Sequence, residues 1–182
     1  LGVANVEEGL GLRKAGIEAP VLVMGQPVEA AVGPALEQNL RLMISDTYIA
    51  DKISECARRF NKVARIHCKI DTGMGRQGFS LENAVSDMLY LTRVSNIDIE
   101  GVATHFPQAD LAEDAHTQNQ IKEFRGVLKS LEKRGIPYEM AHAANSAGII
   151  NYGAASAFDM VRPGLMTYGV WPTRDVPATP IL

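Results

Sequence analysis

Short apolar runs alternate with helical patterns along the whole chain, and this alternation limits the possible folds more than any other feature. "LGVA" (1–4), "PVLVMG" (20–25), "LRLMISD" (40–46) and "VARIHCKID" (63–71) read as strands, as do "IDIEGVATHF" (97–106), "YEMAHAANS" (138–146) and "FDMVRPGLMTYGV" (158–170). The first helix follows Asn5 as N-cap, with Glu8 placed for a capping box and Gly16 as terminator. Further helices are expected near Val28–Gln38, interrupted by Pro34, and near Thr47–Phe60. Another is expected over Leu81–Arg93 with Ser80 as N-cap, and one near Thr117–Arg134. No Asn-Gly hairpin signal separates any two apolar runs. Strict β/α alternation therefore predicts a parallel sheet, either doubly wound or closed. No G-x-G-x-x-G turn follows the first strand, which weakens the dinucleotide-binding arrangement. The reading is an α/β barrel of the TIM (β/α)8 type over residues 1–170, with seven of eight strands in this chain. "LGVA" reads as the inside of a strand, so the chain is expected to start within a domain. Residues 171–182 carry three prolines and read as a linker leaving the barrel.

Composition excludes several classes of function. The chain is 46% hydrophobic and 21% charged, enough to bury one sizeable core. A net charge of −3 and the lack of any basic run argue against nucleic acid or an anionic membrane as partner. Cys56 and Cys68 form no C-x-x-C pair and read as reduced core thiols, which fits a cytoplasmic protein. No apolar run approaches the ~20 residues needed to span a bilayer. The first ten residues carry Glu7 and Glu8 and no basic segment, unlike a signal peptide.

Polar residues collect where the strands end. Lys69, Asp71 and Arg76 follow one strand, among Gly73, Gly75 and Gly78; Thr104 and His105 follow the next. His142, Asn145 and Ser146 follow the penultimate strand, and Arg162 with Gly164 the last. In a β/α barrel these ends form one face, the face that carries chemistry. Each residue also has a plainer explanation. His105 alone suits a structural histidine, and Lys69 with Asp71 suits an ion pair. "NSAGIIN" (145–151) offers a hydroxyl and free N–H groups at a helix start, as a phosphate site would. Asn145 and Ser146 acting as simple helix caps use the same N–H groups, so sequence alone leaves both open.

"HCKIDTGMGRQGF", "ATHFPQAD", "HAANSAGII" and "VRPGLMTYG" resemble four successive motifs of the alanine racemase family. "GVANVEEGLGLRKAGI" and "PVLVMG" are similar to the part of that family just after its first strand. The resemblance implies a barrel that binds pyridoxal 5'-phosphate, a C-terminal β domain and a head-to-tail homodimer. It implies Cα-proton exchange on an amino acid, with L- and D-alanine interconverted by two bases on opposite faces. Lys69 matches the lysine that is often carbamylated. Arg76 would bind the cofactor's phenolic oxygen and the substrate carboxylate. Asn145, Ser146, Gly164 and Leu165 match the phosphate site, and Arg162 the donor to the pyridine nitrogen. His105 and His142 match histidines that orient Arg162, His105 also linking it to a catalytic tyrosine of the partner subunit. Tyr168 reads as structural. The family's Schiff-base lysine and opposing tyrosine have no counterpart among these motifs, so the chain reads as a fragment, inactive alone. The alternatives are a non-catalytic pyridoxal phosphate-binding barrel and a related racemase or decarboxylase with another substrate.

Overall fold

The computed structural model describes residues 1–172. The linker assigned to 171–182 falls outside the described residues beyond Pro172. The elements run β1 (Gly2–Val3), α1 (Val6–Lys14), β2 (Leu22–Val23), α2 (Glu29–Glu37), β3 (Arg41–Ile44) and α3 (Thr47–Arg59). They continue with β4 (Ala64–Asp71), β5 (Phe79–Ser80), α4 (Ala84–Leu91), β6 (Ile97–Ala103) and α5 (Ala115–Lys133). The last are β7 (Met140–Asn145), α6 (Ser146–Tyr152), α7 (Ala154–Ala157), β8 (Met160–Arg162) and α8 (Gly164–Thr167). The sheet order is β1-β2-β3-β4-β6-β7-β8, with every pairing parallel. The seven strands curl into a nearly closed barrel with helices outside, as the alternation predicted.

Local chemistry sets the helix starts. Asn5 accepts a hydrogen bond from the Glu8 amide at 2.9 Å, and the Glu8 carboxylate reaches back to the Ala4 amide at 2.8 Å. Asp46 caps α3 through the Ile49 amide, and Asp114 caps α5 through the Thr117 amide. Two expectations are corrected. Pro34 does not interrupt α2, which runs straight through it. Val32, Ala35 and Leu36, buried on either side of the proline, hold the turn against a local cost of about 3 kcal/mol. Ser80 does not cap a helix from Leu81; it lies in β5, and α4 begins only at Ala84. Gly78 is the reason. At φ +139° it turns the loop back so that Phe79 and Ser80 pair with Ile70 and Asp71. Ser80 keeps a local role, its Oγ accepting from the Asn83 amide at 3.3 Å.

Alternation along the strands sorts core from interior. Leu42, Ile44, Ile66, Cys68, Ile70, Val102 and Ala143 join the main hydrophobic core with residues of the surrounding helices. Leu22, Met43 and Ala103 form a separate small cluster, with Met24 against it, on the other face. His67 and Lys69 alternate with Ile66, Cys68 and Ile70 and so share that inner face. A β-carbon at Gly78 would sit 2.5 Å from the Asp71 amide nitrogen, in a backbone conformation that L-residues avoid. Gly78→Ala should therefore cost at least about 1–3 kcal/mol. Urea titration checks this, and an unchanged midpoint would show that the loop relaxes freely.

Candidate active site

A cavity of about 570 Å³ opens at the C-terminal ends of the strands. Lys69, Arg76, His105, Asn145, Ser146, Arg162, Gly164 and Leu165 all line it. Residues spread over nearly a hundred positions thus meet on one face, because parallel strands end on the same side. His142 is absent from the lining. It lies fully buried behind Arg162.

At the end of β4, Asp71 organises the glycine loop. Its Oδ1 accepts from the amides of Gly73 (3.0 Å), Met74 (2.8 Å) and Gly75 (3.1 Å), and Oδ2 accepts from Gly75 again. Burial alone would raise this carboxyl's pKa, but the three backbone donors hold it below the ordinary carboxylate value. Asp71 is therefore committed to the loop and is not the ion-pair partner of Lys69. Among the described residues no carboxylate lies within 4.0 Å of the Lys69 amine. Lys69 is 6% exposed. Burial, together with the charges of Arg162 and Arg76, lowers its pKa to about 8, with Asp71 opposing. About a tenth of the amine is therefore neutral at pH 7, far more than for an ordinary lysine.

Arg162 is held from three sides. Nη1 donates to His142 Nδ1 at 2.7 Å, and Nη2 donates to the carbonyls of Thr104 and Ala143, both at 2.8 Å. Three of its five N–H groups are engaged within the chain, which fixes the guanidinium in the cavity wall with two N–H groups left over. Burial lowers its pKa to about 10, still far above neutrality, so it stays charged. His105 stands in the cavity wall, but its ring makes no hydrogen bond to Arg162 among the described residues. Only its carbonyl is engaged, by Gln120 Nε2 at 3.2 Å. Of the two histidines matched to Arg162, only His142 is hydrogen-bonded to it among the described residues. Burial, with Arg162, Lys69 and Arg76 nearby, lowers the His105 pKa to about 4. Burial and Arg162 lower that of His142 to about 2.

The rim after β7 and β8 carries two short helix starts. Asn145 Oδ1 caps α6 through the Gly148 amide at 2.9 Å, and its Nδ2 donates to the Phe106 carbonyl. Ser146 Oγ accepts from the Met166 amide at 3.2 Å, which ties α8 to α6. Capping and ligand binding are thus not exclusive here. Asn145 caps with its side chain through the third amide of α6, and the amides before it in each short helix have no intrahelical acceptor.

Sequence reading missed His67 and Glu100. His67 Nδ1 lies 2.8 Å from His142 Nε2, and His67 Nε2 lies 3.1 Å from Glu100 Oε2. The available signals were a histidine two residues before Lys69, hence on the same face, and a Glu-Gly pair inside an apolar strand. Among the described residues no cluster of His, Cys, Asp or Glu is placed to hold a metal ion. No helix there is long and apolar enough to cross a membrane.

The family model for the alanine racemase N-terminal domain matches residues 1–172. This chain belongs to the alanine racemase family. It is 40% identical over 177 residues to the alanine racemase of Clostridium tetani, covering 97% of this chain and 46% of that protein. It is 42% identical over 175 residues to that of Carboxydothermus hydrogenoformans, covering 96% and 47%. A solved structure of the Clostridium difficile alanine racemase in complex with cycloserine superposes with a TM-score of 0.93 at 33% identity, covering 97% of this chain and 48% of that one. The chain spans about half the length of the racemases it matches.

The depressed histidines predict how an alanine racemase barrel of this sequence responds to acid. His67, His105 and His142 are all lowered from 6.5, chiefly by burial. Each is neutral in the fold but takes a proton in the unfolded chain below about pH 6.5. Stability is full above that pH and falls as pH drops towards the folded values. The slope approaches about 1.4 kcal/mol per pH unit for each histidine. Urea midpoints between pH 7 and 5 should fall steeply, and His105→Asn should remove about one histidine's share of the slope. A flat profile would show that the rings ionise within the fold.

Proposed function

We infer that the protein containing this chain interconverts L- and D-alanine with pyridoxal 5'-phosphate, this chain supplying the cofactor-binding barrel. The observation that carries the reading is Arg162, a buried guanidinium held at three points and aimed into a cavity rimmed by two helix starts. An unpaired cationic cavity wall, a planar donor at the base and orphan amides at the rim suit a flat, phosphorylated, anionic group. When bound, pyridoxal phosphate supplies an electron sink for charge developing at the amino-acid Cα.

In this reading the amides at Ser146, Gly164 and Leu165, with the Ser146 hydroxyl and the Asn145 backbone, hold the phosphate. Arg162 donates to the ring nitrogen and keeps its own proton, since its pKa stays near 10. Arg162 would thereby leave that nitrogen without a proton. Arg76 binds the phenolic oxygen and the substrate carboxylate through its fork. His105, neutral in the wall, would meet a partner subunit's tyrosine. The described lining holds one lysine, Lys69, and no tyrosine. In this reading the two proton-moving groups are supplied from outside this chain, the protein is a cytoplasmic homodimer, and the chain alone racemises nothing.

The test uses the complete gene product. It should exchange the alanine Cα proton for deuterium in heavy water and racemise either enantiomer. Arg162→Ala should lower kcat by about a hundredfold or more, the scale of losing one aimed donor. A protein that binds pyridoxal phosphate but exchanges no proton would leave only a binding role.

Lys69 makes the second expectation. Its neutral amine can attack carbon dioxide at carbon and lose a proton, giving a carbamate anion among Arg76 and Arg162. This replaces a cation that lacks a carboxylate partner by an anion that has two cationic neighbours. Carbon-13 NMR of protein in labelled bicarbonate should show one carbamate signal, lost in Lys69→Ala. No such signal across pH 7–9 would leave Lys69 as a plain amine.

A further inference from the structure

The hydrogen bonds behind Arg162 have only one consistent direction. Arginine only donates, so His142 Nδ1 must accept and the ring proton sits on Nε2. That Nε2–H donates to His67 Nδ1 at 2.8 Å, which forces the His67 proton onto its own Nε2. His67 Nε2–H then donates to Glu100 Oε2 at 3.1 Å. Glu100 also accepts from Arg41 Nε at 3.1 and 3.0 Å and from Arg65 Nη1 at 3.1 Å. Arg41 begins β3 and Arg65 lies next to the start of β4, so this end of the chain is at the barrel's opposite face. Every link between is sealed, with Glu100, His67 and His142 at 4%, 2% and 0% exposure.

The backbone is shaped for this chain. The register between β4 and β6 shifts between Ile66 and His67, so that Ile66 pairs with Ile99 but His67 pairs with Gly101. Glu100 is the extra residue of that bulge. Bulges re-aim side chains, and here Ile99 and Val102 keep the outer core while Glu100 and Gly101 both serve the interior. A β-carbon at Gly101 would collide with the His67 ring, coming within 2.6 Å of Cε1. A bulge and a glycine together make room for one imidazole to bridge β6 and β7.

We propose that His67 and Glu100 are positioning residues for Arg162, transmitting a fixed proton order across the barrel so that the guanidinium is held by an acceptor at His142 Nδ1. This rests on the reading of Arg162 as the cavity's functional donor. Glu100→Gln tests it because the amide is isosteric but cannot satisfy three donors with one oxygen. With its oxygen drawn to Arg41 and Arg65, its NH2 meets His67 Nε2. Both imidazoles must then reverse, and His142 Nδ1–H points at an arginine N–H.

The experiment is nitrogen-15 NMR of histidine-labelled complete protein, paired with kinetics of its Glu100→Gln variant. In the wild type, His67 and His142 should both be neutral with the proton on Nε2 from pH 8 to 5. A charged ring, or a proton on either Nδ1, overturns the proposal without recourse to any variant. Glu100→Gln should reverse both tautomers and lower kcat roughly 10–100-fold, the usual scale for losing a partner one shell out, with KM changed less than about twofold. Reversed tautomers with unchanged kcat, or lowered kcat with wild-type tautomers, overturn it. A wild type that shows the expected tautomers yet racemises no amino acid defeats the functional reading and leaves the proton order standing.

Discussion

The interior of this barrel is organised around the burial of a guanidinium. A charge removed from water costs several kcal/mol unless donors and acceptors replace the solvent. Arg162 meets that requirement with two carbonyls and one imidazole nitrogen. The imidazole passes the requirement on, since a buried histidine that accepts on one nitrogen must donate on the other. His67 and Glu100 complete the sequence, and Arg41 and Arg65 neutralise its far end. Where many barrels fill their centre with layers of branched aliphatic residues, this one carries a polar column beside a small apolar cluster of Leu22, Met43 and Ala103.

The same burial shapes the cavity's electrostatics. Arg162 lowers the proton affinity of Lys69, His105 and His142 together, in each case after the larger effect of burial. The cavity therefore presents one neutral imidazole, His105, and a weakly basic amine around a permanent cation, with the neutral His142 behind it. Asp71, the nearest acid in sequence, is held by the loop amides it binds, and its charge only partly opposes the lowering at Lys69. Its role is to shape the glycine turn that delivers Arg76 to the wall. That answers why charges and glycines crowd after β4: the glycines fold the loop, Asp71 holds it, and the two cations face the cavity.

Much of the site was legible because barrel strands report their own ends. A polar residue closing an apolar run marks the functional face, and Lys69, His105, Asn145 and Arg162 all carried that mark. The elements that escaped depend on contacts distant in sequence. β5 exists only because Gly78 folds Phe79 onto Ile70. α2 survives Pro34 only because its flanking residues are buried. His105 bore the same outward mark as His142, but the strand geometry gave one the guanidinium and the other the wall.

The sequence by itself determined the parallel β/α order, the polar strand ends, the cap at Asn5, and the family. Those follow from local periodicity, from side chains bonding amides a few residues away, and from motif order. Only the tertiary structure decided which histidine serves Arg162, that Asp71 leaves Lys69 unpaired, and that Glu100 turns inward. Asp71 is taken by amides two to four residues along, once the glycine loop closes on it, whereas the other two depend on register between strands up to 75 positions apart, as in the His67–His142 contact. A single bulge shifts which side chains meet there, and no local pattern in either strand encodes the meeting.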